Sequence, residues 1–227
     1  METPPAVLGH LPAVTDADSR RSLVAVVERD TTTVTVISGD SAHPRAELLV
    51  REQGVTLNHV RLDGAHDLVE RAIAATPEFI PRRGWKEGAG RDTYATVIVC
   101  TLGKNPILPL TIRSLLAQTH RHLEVIVVDN APASGDTRRQ LAGCADPRLR
   151  IVDEPHAGLS RARNAGLAAA AGEVVAFTDD DALPGDSWLA SILDVFATAP
   201  PGEVGGVTGP AFAAELQSPS QRYFEAR

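Results

Sequence analysis

The sequence predicts an α/β protein: a doubly wound, Rossmann-like domain preceded by a small α+β module. From Tyr94 onward, short and nearly continuous apolar runs alternate with amphipathic segments of helical period. Such apolar runs are typical of parallel strands covered on both faces by helices. The right-handed crossover rule then leaves few topologies, of which a doubly wound sheet is the simplest.

The elements of this second region follow one another in strict alternation. The predicted strands are ATVIVCT, LEVIVVDN, RLRIVDE and EVVAFTDDD, with EVGGVTGP as a candidate fifth. The predicted helices are NPILPLTIRSLLAQT, GDTRRQLAGCA, GLSRARNAGLAAAAG and PGDSWLASILDVFAT. Each helix lies between two strands, as the crossover connections of a parallel sheet require.

The chain divides by pattern into four segments. These are a flexible N-terminus (1–21), a small α+β module (22–76), a Pro- and Gly-rich linker (77–93) and the α/β domain (94–227).

Within the small module, two β-branched runs on either side of Arg29–Thr32 predict a hairpin, and a second hairpin turns near Gln53-Gly54. A helix follows, with Asp63 as its predicted cap. Its predicted apolar face consists of Ala65, Leu68, Val69, Ala72 and Ile73. The role of this module is not predicted by the sequence.

Composition excludes several functional classes. The 227 residues are 43% hydrophobic and carry a formal net charge of −7, which argues against a nucleic-acid surface. The aromatic content of 4% removes the stacking platforms of a single-strand binder. No apolar run approaches the roughly 18 residues of a membrane span, and no signal peptide is evident. Cys100 and Cys144 give no metal spacing. We therefore expect a cytoplasmic protein.

Polar residues follow three of the predicted strands: Thr101, Asp129-Asn130 and Asp179-Asp180-Asp181. Ligands of parallel sheets bind where the carboxyl ends of the strands gather, so these groups are expected side by side. One aspartate there would be read as a turn cap, but three suit a divalent ion. Mg²⁺ and Mn²⁺ take one or two carboxylates and complete their shell with water and phosphate oxygens.

These residues resemble a known family, the inverting GT-A glycosyltransferases grouped as family 2. Where the family has a PTYNR-like segment after its first strand, this chain has CTLGKNP, and VVDNAP stands for VVDDGS or VVDNGS. The family's arginine-bearing ARNxG helix corresponds to GLSRARNAGLAAAAG, and its DxD motif corresponds to TDDDALP. The order and spacing agree over about residues 94 to 215. The resemblance implies a nucleotide-diphospho-sugar transferase fold, incomplete at the C-terminus, and a nucleotide-sugar donor.

By position in these motifs, the resemblance places Thr101 beside the base or ribose, although Leu102 stands where an aromatic residue often follows. It places Asp129 and Asn130 at the base. For Asp129, a plain turn cap remains the alternative.

The resemblance also implies sites for the diphosphate and the metal. Arg163 and Asn164, at the start of a helix, are expected to bind the diphosphate, whereas Arg161 is equally expected to face solvent. Gly166 is expected to allow close packing of helix on sheet, and His156 is expected to be merely exposed.

Asp179 and Asp181 are the expected ligands of Mn²⁺ or Mg²⁺, and Asp179 is alternatively a partner of the ribose. Asp180 is expected to act in either role, on the nucleotide or on the ion.

No catalytic residue is assigned. An inverting transferase needs a general base, which in this family lies well downstream of the DxD motif. We expect it beyond Arg227, because Glu203, Glu215 and Glu225 have no recognisable context. The chain is accordingly expected to be a fragment, or to have a degenerate acceptor half. The acceptor, whether saccharide, lipid-linked or small molecule, is not predicted.

Two other functions stay open. A nucleotidyltransferase uses a similar fold and metal, but usually has a glycine-rich loop after its first strand, where CTLGKNP has one glycine and Lys104. A catalytically inactive nucleotide-binding fragment would bind UDP or GDP with Mn²⁺ and show no turnover.

Overall fold

A computed structural model of the chain describes residues 22–39, 45–52, 55–64, 66–78, 86–209 and 211. The chain falls into two compact units, one within residues 1–81 and one within 82–208. The predictions for the N-terminus (1–21) and for Gln53-Gly54, Ala65, Glu215 and Glu225 fall outside the described residues.

The first unit is a four-stranded sheet with one helix. Its elements are β1 (Leu23–Glu28), β2 (Thr33–Ser38), β3 (Arg45–Glu52), β4 (Val55–Asp63) and α1 (Leu68–Ala74). β1 pairs antiparallel with β2, and β3 antiparallel with β4, so both predicted hairpins are confirmed. A parallel pairing of β1 with β3 joins them in the order β2-β1-β3-β4.

The core of this unit lies on one face of the sheet. Leu68 and Ala72 of α1 pack there with alternate strand residues such as Ala25 and Leu48. The prediction that Asp63 caps α1 is wrong. Asp63 is the last residue of β4 and accepts a hydrogen bond from Arg45 at 3.1 Å, while Asp67 occupies the N-cap position.

The second unit is a parallel sheet between helices. Its elements are β5 (Ala95–Thr101), α2 (Leu108–Leu116), β6 (Leu123–Asp129), α3 (Asp136–Leu141), β7 (Leu149–Asp153), α4 (Leu159–Ala169), β8 (Val174–Asp179) and α5 (Trp188–Thr198). The strand order is β7-β6-β5-β8, and every pairing is parallel. This 3-2-1-4 arrangement is that of Rossmann-type sheets, so the predicted fold class is confirmed. The candidate fifth strand is wrong, because described residues 203–209 form a turn and irregular chain.

The sheet is covered on both faces, as its apolar strands predict. One face packs against α2 and α5 through residues such as Ile112, Leu115 and Leu189, and the other packs against α4 through Ile98 and Ala162. Residues 86–92 form a turn on α5, where buried Asp194 accepts hydrogen bonds from the backbone N–H groups of Gly88 and Gly90, both at 2.8 Å. Among the described residues, no helix combines the length and apolar character needed to cross a bilayer.

Gly166 lies where α4 comes closest to the sheet. A Cβ atom there would lie 2.6 Å from Cγ2 of Ile98 and 3.1 Å from Cγ2 of Val128. Ile98 is fully buried in β5, so the contact cannot be relieved by a swing of an exposed side chain. The glycine therefore sets the distance between α4 and the sheet.

Gly166→Ala is expected to lower the free energy of unfolding by about 1 kcal/mol. Overpacking of a tight core costs roughly 1–3 kcal/mol, which exceeds the gain of about 1 kcal/mol in helix propensity. Chemical denaturation of the full chain measures the difference. Gly143→Ala is the control, because an added Cβ there meets no atom within 4 Å. Equal or greater stability of Gly166→Ala would contradict the close packing.

Candidate functional site

Three strand ends lie side by side at the carboxyl edge of the parallel sheet. Thr101, at the end of β5, is in register with Asp129 of β6, and Cys100 is in register with Asp179 of β8. β5 lies between its two neighbours, so residues distant in sequence become neighbours in space. We call this edge, which consists of Thr101, Asp129-Asn130 and Asp179–Asp181, the carboxyl rim.

Asp180 ties two loops of the carboxyl rim together. Its carboxylate accepts hydrogen bonds from Oγ1 of Thr101 at 2.5 Å and from Nδ2 of Asn105 at 3.3 Å. Its backbone carbonyl accepts a third from Oγ1 of Thr111 in α2 at 3.1 Å. The Thr101 hydroxyl also accepts from the backbone N–H of Gly103 at 2.9 Å. Thr101 and Asp180 therefore act on each other within the chain, and the loop after β8 is fixed to the loop after β5.

Asp179 and Asp181, on either side of Asp180, are exposed. The described residues contain no group of three His, Cys, Asp or Glu side chains placed to hold a metal ion. Two open carboxylates nevertheless match the donor set of an Mg²⁺ or Mn²⁺ ion that takes its remaining ligands from water and phosphate. The chemistry of the donors fits such an ion, and the metal site stays a prediction.

Asp129 is completely buried, and its two oxygens differ. Oδ1 accepts a hydrogen bond from the backbone N–H of Ala131 at 3.0 Å, which is the turn cap foreseen as the alternative. Oδ2 has no hydrogen-bond partner within the described residues, and Nη1 of Arg138 lies 3.6 Å from it. A buried acceptor without a hydrogen bond is uncommon and calls for an explanation.

Arg138 is held in place by a second carboxylate. Its Nη1 and Nη2 donate to Asp153 at 2.8 and 3.1 Å, and these bonds raise the pKa of the Arg138 guanidinium. Sequence reasoning missed both residues. Asp153 had a usable signal, since it ends β7 as Asp129 ends β6, whereas Arg138 sits among other charged residues of a short helix.

Asn130 organises the loop before α4. Its Nδ2 donates to the carbonyls of Glu154 at 2.7 Å and His156 at 2.8 Å, and its Oδ1 accepts from the backbone N–H of Gly158 at 2.9 Å. Both amide donors are thus used within the chain. The predicted contact of Asn130 with a base stays a prediction.

The start of α4 presents the predicted anion ligands. Arg161, Arg163 and Asn164 are all exposed there. Burial raises the pKa of the Cys100 thiol, the charge of Arg163 lowers it, and the charge of Asp179 raises it. The start of α4 lies at the carboxyl rim, because the backbone N–H of its N-cap residue Gly158 donates to Oδ1 of Asn130 at 2.9 Å. His156 is exposed, as predicted, and bonds to Glu154 through Nδ1 at 2.9 Å.

Among curated proteins, the chain is 37% identical over 106 residues to an uncharacterized glycosyltransferase of Nostoc sp.. It is 32% identical over 123 residues to the glucosyl-dolichyl phosphate glucuronosyltransferase of Haloferax volcanii. These matches cover 46% and 52% of this chain, but only 33% and 39% of the relatives. The chain thus spans about a third of the length of the first relative and about two fifths of the second.

Solved structures give weaker likenesses. The mannosyltransferase PcManGT from Pyrobaculum calidifontis, in complex with GDP-Man and Mn²⁺, is 34% identical over 45% of this chain and 32% of its own, with a TM-score of 0.41. Glucosyl-3-phosphoglycerate synthase from Mycobacterium tuberculosis is 22% identical over 53% of this chain and 47% of its own, with a TM-score of 0.42. Scores this low carry no argument about ligands.

The sequence model of glycosyl transferase family 2 matches residues 96–223, which is more than half of the chain. The match begins in β5 and includes every strand and helix of the parallel sheet. The chain belongs to glycosyl transferase family 2.

Proposed function

We propose that this chain forms the donor-binding part of a metal-assisted, inverting glycosyltransferase. It would hold a nucleotide-diphosphate sugar at the carboxyl rim for transfer of the sugar to an acceptor hydroxyl. The observation that carries the proposal is the register of β6, β5 and β8, which brings Asp129 and Asp179 beside Thr101. Membership of family 2 supports transfer of a sugar over the nucleotidyltransferase alternative.

The diphosphate would lie between the start of α4 and the loop after β8. The free N–H groups at a helix N-terminus bind anions, and α4 offers them beside the guanidinium of Arg163 and the amide of Asn164. Asp179 and Asp181 would hold a divalent ion, which would act as a Lewis acid on the diphosphate leaving group. The exposed position of these four side chains leaves them open to a ligand.

The base would meet the inner part of the carboxyl rim. A carboxylate oxygen that is buried without a hydrogen bond costs roughly 1–3 kcal/mol or more, so an N–H donor that reaches Oδ2 of Asp129 is favoured. A nucleobase N–H is such a donor. Arg138, held by Asp153, lies 3.6 Å from this oxygen and would face the same base. The acceptor molecule and the general base are left unassigned by this proposal.

Removal of a metal ligand tests the site directly. Mn²⁺ with UDP or GDP is expected to stabilise the full chain by about 2.7 kcal/mol at 100 times the dissociation constant. Asp181→Asn is expected to lose the Mn²⁺-dependent part of this stabilisation, because a neutral amide is a poor ligand for a hard cation. Thermal unfolding across a panel of nucleoside diphosphates, with and without Mn²⁺, gives the measurement.

Asp186→Asn is the matched control, since Asp186 is an exposed carboxylate in the same loop whose backbone carbonyl, not its side chain, accepts from Thr119. No response of the unmodified chain to any nucleotide would refute the proposal. Binding without release of sugar from any nucleotide-sugar donor would favour the inactive nucleotide-binding alternative.

The hydrogen bond from Thr101 to Asp180 predicts a second effect. Thr101→Val keeps the volume but removes the hydroxyl, leaving the Asp180 carboxylate and the Gly103 N–H each short of a partner. We expect a loss of about 1–3 kcal/mol in stability and a weaker Mn²⁺-dependent response to nucleotide, because the loop that carries Asp179 and Asp181 is released.

Thr101→Ser should restore both properties, since serine keeps the hydroxyl. Urea denaturation reports the stability, and the nucleotide titration reports the loop. A Thr101→Val chain with unchanged stability and unchanged nucleotide response would show that this bond does not position the acidic residues.

A further inference from the structure

The opposite edge of the parallel sheet holds a cavity of about 510 Å³ at the amino ends of β6 and β7. Its walls include Arg121, His122, Arg148, Arg150, Tyr94 and Glu124. We call it the amino-edge pocket. β6 runs seven residues from Leu123 to Asp129, so the pocket lies about 20 Å along this strand from the carboxyl rim. Nothing proposed for the carboxyl rim uses it.

Two arginines of the pocket converge on one acceptor. Nη1 of Arg121 and Nη2 of Arg148 both donate to the backbone carbonyl of Leu116, at 3.2 and 2.9 Å. Leu116 is the last residue of α2, where the helix dipole favours a positive charge. Sharing one oxygen nevertheless holds two guanidinium groups close together, and like charges at that distance repel.

The carboxylates around the pocket leave this charge only partly neutralised. Asp146 binds Arg148 through Nε and Nη2 at 3.0 and 2.7 Å, and this bonding lowers the pKa of Asp146 to about 2. Glu124 lies 3.3 Å from Nε of Arg150. Arg121 forms no ion pair within the described residues. Two carboxylates therefore face three guanidinium groups, which leaves a net positive charge in a chain whose overall charge is −7.

The guanidinium groups of the pocket are also held in fixed orientations, and some of their N–H donors have no acceptor among the described residues. Buried Glu124 is fixed by Thr96 Oγ1 and by the backbone N–H of Ala171, both at 2.8 Å, so it holds Arg150 in a defined place. Nη2 of Arg150 donates to the carbonyl of Ala169 at 2.7 Å. Nη1 of Arg150 and Nη1 of Arg148 donate to no group in the part of the chain that the structure describes. Oriented, unused guanidinium donors match the oxygens of a phosphate.

The wall formed by Tyr94 and His122 suits the organic part of a small ligand. Tyr94 and His122 form a tilted ring pair with centroids 4.9 Å apart. A volume of about 510 Å³ lies within the range that holds a small-molecule ligand. We propose that the amino-edge pocket binds a small phosphorylated molecule, with its phosphate on Arg121, Arg148 and Arg150 and its organic part against Tyr94 and His122.

Inorganic phosphate and AMP are the probes, titrated into the full chain in EDTA at constant ionic strength with chloride as the balancing anion. EDTA removes the divalent ion on which nucleotide binding at the carboxyl rim is proposed to depend. Phosphate is expected to raise the unfolding temperature beyond chloride, and AMP is expected to bind more tightly than phosphate. Arg121→Ser is expected to weaken binding about tenfold, as loss of a charged hydrogen-bond donor typically does.

Arg139→Ser is the control, because Arg139 is an exposed arginine on α3 that pairs with Asp136. Arg163→Ser, which removes a proposed diphosphate ligand of the carboxyl rim, should bind phosphate as the unmodified chain does. The proposal is overturned by a response equal to that of chloride, by an Arg121→Ser chain that binds like the unmodified chain, or by loss of binding in Arg163→Ser. Tighter binding of polyglutamate than of AMP would also overturn it, in favour of an acidic peptide.

Discussion

The site depends on one constraint, the parallel pairing of β5 with β6 on one side and β8 on the other. Parallel strands in register end at the same edge, so the last residue of each strand meets the last residue of its neighbour. A slip of one residue would turn every side chain of a strand to the other face of the sheet. Both faces of these strands are apolar and buried, so the close packing of α4 on Ile98 and Val128, rather than an apolar–polar alternation, opposes that slip. The same packing that stabilises the sheet therefore aligns Thr101, Asp129 and Asp179.

Alternation of apolar and amphipathic runs was enough to predict the parallel sheet, both hairpins and the strand ends at the carboxyl rim. The same patterns gave wrong predictions, or none, where contacts between distant parts of the chain determine the structure. Asp63 looks like a cap, but pairing with Arg45 extends β4 through it, so the helix begins later. Asn105 and Arg138 were missed for the same reason. Asn105 contacts Asp180, and Arg138 lies near Asp129. Each pair is separated in sequence and meets only in the folded chain, so no local sequence pattern predicts it.

Three adjacent aspartates would repel one another if all faced the same space. The fold separates them by role, because the middle carboxylate turns inward to Thr101 and Asn105 while its neighbours stay exposed. Hydrogen bonds to the charged form stabilise a carboxylate without requiring an opposite charge. Asp180 is thus bonded within the chain, whereas Asp179 and Asp181 are the exposed carboxylates of the triplet. The predicted role of Asp180 on the nucleotide or the ion stays a prediction.

The two edges of the parallel sheet carry side chains of opposite charge, aspartates at the carboxyl rim and arginines at the amino edge. The dipoles of the flanking helices partly offset both. In a parallel α/β unit the helices run back against the strands, so their N-termini face the carboxyl edge and their C-termini face the amino edge. Partial positive charge thus meets the aspartates at the carboxyl rim, and partial negative charge meets the arginines at Leu116. A helix dipole carries only about half a unit charge at each end, which cannot balance two exposed carboxylates or the one positive charge that Asp146 and Glu124 leave in the amino-edge pocket. The charge left at the carboxyl rim is negative, which suits the divalent cation proposed to hold the diphosphate there. The charge left in the amino-edge pocket is positive, which suits the proposed phosphate.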